Sequence, residues 1–101
     1  MNEVDLIHKA QDGDQEASAE LFKAHRGRLT RLVSRILRNE ADAEEVASDA
    51  FLNGLNTYKI DGGASFKTWL DRIAKNACRD MIRKNARWVS LDEGEEGGGI
   101  V

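Results

Sequence analysis

From Ser65 to Arg87, SFKTWLDRIAKNACRDMIRKNAR, apolar and polar residues recur with the period of a helix, not a strand. At about 100° per residue, Phe66, Leu70, Ile73, Ala77 and Met81 share one arc. Ser65, Thr68, Arg72, Asn76, Arg79, Arg83 and Arg87 share another, centred roughly 120° away. Trp69 lies on the border between the two arcs. The spacing therefore predicts a long helix with one face for a core and one for solvent. Ordinary surface helices mix both signs of charge, but this polar arc holds arginines, amide and hydroxyl groups and no acid. Such a face suits a phosphate backbone, and a flanking aromatic can stack a base.

The rest of the chain repeats the helical pattern. Proline is absent from all 101 residues, so nothing forbids long helices. β-Branched and aromatic residues are sparse, which disfavours a sheet. A short first helix is predicted from Val4 to Asp12, ended by Gly13. Asp14 caps a second, Gln15 to Arg38, whose Ala17, Leu21, Phe22, Leu29, Leu32, Val33 and Ile36 recur at helical spacing. Asn39-Glu40-Ala41 breaks the pattern. Asp42 begins a third helix, with Glu45 completing a variant of the capping box, and it ends near Tyr58. Lys59 to Ala64 is a loop freed by Gly62-Gly63, and Ser65 caps the last helix. Beyond Trp88 the apolar pattern fails, and the acidic, glycine-rich end reads as a flexible tail. The expected fold class is all-α, a compact bundle of three to four helices over residues 1–89, followed by a linker or tail over 90–101.

The net charge of −3 alone argues against a nucleic-acid binder, but its distribution does not. Residues 25–38 carry five arginines and no acid, and residues 39–58 carry five acids and no base. Alternating blocks either present different surfaces to different partners or neutralise one another inside the domain. No apolar run reaches transmembrane length, and the acidic N-terminus lacks a signal core, so the expected location is cytoplasmic, without membrane insertion. One cysteine, Cys78, excludes an intrachain disulfide, and its mid-helix place reads as a small apolar filler. His8 and His25 lack metal-ligand spacing, and His25 falls on an apolar face as a packed histidine. Neither a Walker loop nor a nucleophile–base pattern is present, so no enzyme, cofactor or metal is expected.

On the third helix Asp42, Glu45, Asp49, Leu52, Asn53 and Asn56 share the face opposite the apolar one. Leu52 there is either a lone exposed leucine or an anchor within an acidic rim. Trp69 either completes the core against Phe66 or stacks a base, and partial burial with one free face satisfies both.

Three segments resemble region two of a bacterial extracytoplasmic-function (ECF) RNA polymerase sigma factor: AQDGD, DAEEV with a following FL, and SFKTWLDRIAKNACRD with Arg83. The resemblance covers nearly all of residues 4–88. It implies a transcription initiation domain that binds core RNA polymerase and holds the melted non-template strand of the promoter −10 element. Asp42, Glu45, Asp49, Leu52 and Asn53 would then dock on the β′ clamp helices. The KIDGGAS loop, with Lys59, Asp61, Gly62, Gly63 and Ser65, matches a base-capturing loop. Phe66, Lys67, Trp69, Arg72, Asn76, Arg79, Arg83, Lys84 and Arg87 would face the DNA strand. An anti-sigma factor is an implied partner as well. Ser48 and Ala50 replace bulkier polar residues frequent in the polymerase-binding helix, and the expected region four is absent before Val101. A module that only engages an anti-sigma factor, and a conventional duplex-binding helical domain, are the alternatives.

Overall fold

The computed structural model describes residues 2–93, with side chains described through Asn85. Four helices follow in order: α1 Glu3–Gln11, α2 Gln15–Leu37, α3 Glu40–Thr57 and α4 Phe66–Glu93. α2 is central and packs against the other three. α2 and α4 run in the same direction. Arg28 meets Asp71 near the start of α4, and Ile36 sits with Lys75, Arg79 and Ile82 further along.

Side-chain caps set the helix starts. Asn2 Oδ1 accepts from the Asp5 amide at 2.9 Å, and Asp14 Oδ1 accepts from the amides of Glu16 and Ala17 at 3.0 and 3.1 Å. Ser65 Oγ accepts from the Thr68 amide at 3.1 Å, as expected of a cap for α4. The start of α3 corrects the sequence expectation. It begins at Glu40, not Asp42, because Asn39 is the cap and accepts from the amides of Ala41 and Asp42. Asp42 instead takes a hydrogen bond from the Asn39 side chain at 2.9 Å, one turn into the helix. The α2–α3 joint shrinks to two residues because Arg38 closes α2 in the left-handed conformation, at φ 57°. A non-glycine residue there costs about 1 kcal/mol.

α4 also differs from expectation at its far end, since it continues to Glu93, past Trp88. The expected flexible tail beyond residue 93 lies outside the described residues. The buried arc of α4 is turned slightly from the predicted one. Phe66, Leu70, Ala74 and Cys78 are fully buried, while Ile73, Ala77 and Met81 are half-buried beside them. Burial pushes the Cys78 thiol above its usual pKa, because the thiolate would lose its hydration.

Small residues decide how closely α3 and α4 approach. Ala43, Ala47, Ala50 and Gly54 form the buried stripe of α3. A β-carbon on Gly54 would sit 2.6 Å from Leu70 Cδ2, so any larger residue at this crossing would force the buried Leu70 to shift. Around it the aromatic rings form a string. Phe22 meets Phe51 at 5.2 Å, Phe51 meets Phe66 at 6.3 Å, Phe66 meets Tyr58 at 5.2 Å, and Tyr58 meets Trp69 at 6.5 Å between ring centroids. These tilted and edge-on contacts are the favoured geometry for aromatic pairs.

A polar chain ties α1, α2 and α4 together on the other side. His25 is buried, with its ring edge-on to Phe66. Arg28 only donates, so its Nη1, 2.8 Å from His25 Nδ1, makes that nitrogen the acceptor. The His25 Nε2–H then donates to Glu3 Oε2 at 2.7 Å. Arg28 also donates to Asp71 Oδ1 from Nε and Nη2 at 3.2 and 3.1 Å. The packed histidine expected from the sequence thus has both ring nitrogens paired, and Arg28 is the arginine of α2 that is neutralised inside the domain.

Candidate nucleic-acid interface

The loop before α4 is held open against the helix. Gln11 Nε2 donates to the Leu55 and Tyr58 carbonyls at 3.0 and 2.9 Å, which satisfies the end of α3. The Tyr58 hydroxyl donates to the Ala64 carbonyl at 2.6 Å and closes the loop across its base. Between them the chain turns through Gly63 at φ 95°, a conformation other residues rarely adopt. The result is a cleft of about 280 Å³ lined by Thr57, Tyr58, Lys59, Gly62, Ala64, Trp69 and Arg72.

Trp69 lies between the core and solvent. It is half-buried, and its indole Nε1–H donates to the Gly54 carbonyl at 3.1 Å, which fixes the ring in the cleft wall. The Arg72 guanidinium stands 5.8 Å from the ring centroid. A planar aromatic beside a cation can take a base against its face and a phosphate beside it.

Arg72 continues into a shallow groove with Thr68, Asp71, Lys75, Asn76 and Arg79. Of the residues expected at the interface, Lys59, Asp61, Gly62, Gly63, Ser65, Lys67, Arg72, Asn76, Arg79, Arg83 and Lys84 are all exposed. Lys67 reaches Asp71 at 3.4 Å in an exposed pair of little energetic weight. Lys84 is turned about 120° around the helix from Arg72, away from the row of arginines. Phe66 needs correcting. It is 3% exposed, packed among Phe51, Tyr58 and His25, so it supports the cleft from the core and offers no face to a base. The Arg87 side chain lies outside the described residues. The sequence reading missed Thr57, Tyr58 and Ala64 as cleft walls and Lys75 in the groove. A lone tyrosine just before a glycine loop was the available signal.

The acidic candidates sit on the far side. Asp42, Glu45, Asp49, Leu52 and Asn53 are all exposed along α3, with Leu52 at 52%. Among the described residues none of these acids has an ion-pair partner. Beside Leu52 lies an apolar groove of about 290 Å³, lined by Gln15, Ser18, Ala19, Phe22, Ser48, Phe51 and Leu52. Ser48 and Ala50 are thus small where small residues leave this hollow open or pack the core. No described helix is long and apolar enough to cross a membrane. Among the described residues no His, Cys, Asp and Glu cluster is placed to hold a metal ion.

Residues 21–88 match the family model described as Sigma-70 region 2. The chain belongs to that family, as region two of an ECF-type sigma factor. It is 36% identical over 87 residues to the ECF RNA polymerase sigma factor SigW of Bacillus subtilis, covering 85% of this chain and 46% of that protein. To the ECF RNA polymerase sigma factor SigM of Mycobacterium tuberculosis it is 33% identical over 86 residues, 82% of this chain and 43% of the relative. The ECF RNA polymerase sigma-E factor of Escherichia coli is 31% identical over 83 residues, 81% of this chain and 43% of the relative. The chain spans less than half the length of these relatives.

Proposed function

We propose that this domain takes part in transcription initiation, holding one melted strand of promoter DNA on α4 while α3 docks on RNA polymerase. The cleft at Trp69 carries the reading. It pairs an indole fixed by its own N–H with an adjacent arginine, and it opens onto a cationic groove. An extruded base stacks against the cleft wall while Arg72, Arg79 and Arg83 hold phosphates of the same strand. Extruding a base costs a few kcal/mol, and the arginines offset that cost. Stacking on an aromatic contributes roughly 1–3 kcal/mol per base. The names of the relatives, RNA polymerase sigma factors, support the partner. The domain itself makes and breaks no bond.

The acidic face of α3 serves the protein partner. An exposed leucine beside an apolar groove, with Glu45 and Asp49 as a charged rim, fits a basic helical surface such as the β′ clamp helices. An anti-sigma factor would compete for the same groove.

The strand-holding role is tested by competition in fluorescence anisotropy. A single-stranded oligonucleotide bearing a −10 element displaces a labelled copy of itself, whereas the duplex of the same sequence and a scrambled strand compete poorly. Duplex competing as well as single strand would overturn the reading in favour of a conventional duplex binder.

A further inference from the structure

The AQDGD segment belongs to neither the α3 face nor the α4 groove, yet its glutamine reaches across to the root of the cleft loop. Gln11 is the last residue of α1, and the chain just past it is locked. Gly13, at φ 105°, donates to the Ala10 carbonyl at 3.0 Å, and the Asp14 amide donates to the Lys9 carbonyl at 2.9 Å. This pair of bonds is a Schellman closure. Asp14 then caps α2 directly. Behind Gln11, Ile7 is buried in the core and Glu3 is paired with His25. The Gln11 backbone is therefore a fixed point of the domain.

The end of α3 is built differently. Tyr58 leaves the helix in an extended conformation. The last carbonyls of a helix lack helical partners, so the groups that meet them set the direction of exit. Here that group is the Gln11 carboxamide. Its nitrogen carries two N–H groups and stands 3.0 Å from the Leu55 carbonyl and 2.9 Å from the Tyr58 carbonyl. Two carbonyls three residues apart that converge on one nitrogen fix the backbone between them. Tyr58 passes that constraint on. Its ring lies 5.2 Å from Phe66 and 6.5 Å from Trp69, and its hydroxyl holds Ala64. The next residue, Lys59, accepts from the Gly62 amide at 2.9 Å. Gln11 itself is exposed. Ordering an exposed glutamine costs about what its hydrogen bonds contribute, so the bridge adds little to stability and its effect is on geometry.

We propose that Gln11 is a positioning residue for the cleft: it fixes the angle at which the chain leaves α3 and so holds the Lys59–Ala64 loop at the distance from Trp69 that admits one base. It acts through the loop, not on the strand, and it gives α1 a part in strand recognition. The proposal rests on the reading of the cleft as a base-holding site.

The test uses two variants of the 101-residue chain. Gln11→Met keeps the length of the side chain and removes both donors, whereas Gln11→Lys supplies donors at a similar reach. The first readout needs no DNA. In the free 15N-labelled protein, Gln11→Met is expected to move the amide resonances of Gly62 and Gly63, which do not touch residue 11, and Gln11→Lys to return them towards the wild-type positions. The second readout is anisotropy with a strand bearing the −10 element and a scrambled strand. Gln11→Met should lower the preference for the −10 strand by about fivefold, the size of one lost hydrogen bond, with affinity for the scrambled strand kept within about twofold. The added charge of Gln11→Lys acts on both strands alike, so the preference returns. A Gln11→Met variant that only melts earlier, with loop resonances and preference unchanged, would make the bridge structural and overturn the proposal. An equal weakening on both strands would overturn it too. If the loop resonances move as expected while the wild type shows no preference for the −10 strand, the strand-holding reading falls and the hold of Gln11 on the loop stands, so the two failures are distinguishable.

Discussion

A methyl group added at Gly54 tests the α3–α4 crossing, and the same change at Gly27 supplies the control. Both glycines lie inside helices, so both alanines gain about 0.5–1 kcal/mol from reduced freedom of the unfolded chain. At Gly27 the new β-carbon meets only Arg31 Nη1 at 3.6 Å, an ordinary contact. At Gly54 it would meet Leu70 Cδ2 at 2.6 Å, with Ile73 Cγ1 at 3.7 Å and Trp69 Cδ1 at 3.8 Å. Leu70 is completely buried, so the roughly 1 Å it must yield has to come from the packing around it. Overpacking of this kind costs about 1–3 kcal/mol. Since the propensity gain is common to both, Gly54→Ala should be less stable than Gly27→Ala by about 1–3 kcal/mol. In thermal unfolding followed by circular dichroism that is a gap of about 4 °C or more. The strain also falls on the Trp69–Gly54 hydrogen bond, so single-strand affinity should drop with Gly54→Ala and hold with Gly27→Ala. Equal stabilisation by the two alanines would refute the close approach of α3 and α4.

Arg28→Leu should cost about 1–3 kcal/mol in urea unfolding, because it strands His25 Nδ1 and the half-buried Asp71 carboxylate, whereas Arg35→Leu should stay within about 0.5 kcal/mol. The Asp49→Arg, Leu52→Glu double variant should keep its melting temperature, both residues being exposed, and lose capture of core RNA polymerase in a pull-down; a folded variant that still captures polymerase counts against this face. Native Cys78 should react with a thiol reagent only after unfolding. Because its folded pKa is raised above the unfolded one, its stability contribution is full below the ordinary thiol pKa and is lost as pH rises from about 8.5 through the folded value. Denaturation midpoints that fail to fall over that range would contradict the burial.

Local chemistry was legible in the sequence, and geometry set by distant residues was not. Asp14 and Ser65 read as caps because a cap needs only residues two or three positions away. The start of α3 was misplaced because Asn39 and Asp42 are both good caps, and the left-handed turn at Arg38 decides between them. The exposed faces of α3 and α4 follow from periodicity alone. Periodicity put Phe66 on the apolar arc and Trp69 on its border, whereas the resemblance set both against DNA; the rings of His25, Phe51 and Tyr58, distant in sequence, bury Phe66 beneath the cleft. Periodicity could not divide the arginines of α2. Arg28 differs from Arg31 and Arg35 only in having Asp71 opposite, 43 residues along the chain.

The most direct test of the central claim is a titration of the 15N-labelled domain with a short single-stranded DNA, followed by amide and indole resonances. The account predicts shifts concentrated at Lys59, Gly62, Gly63, the Trp69 indole N–H, Arg72 and Arg79, with α3 from Asp42 to Asn53 unmoved. Shifts confined to α3, or an unmoved Trp69 indole at saturation, would contradict it.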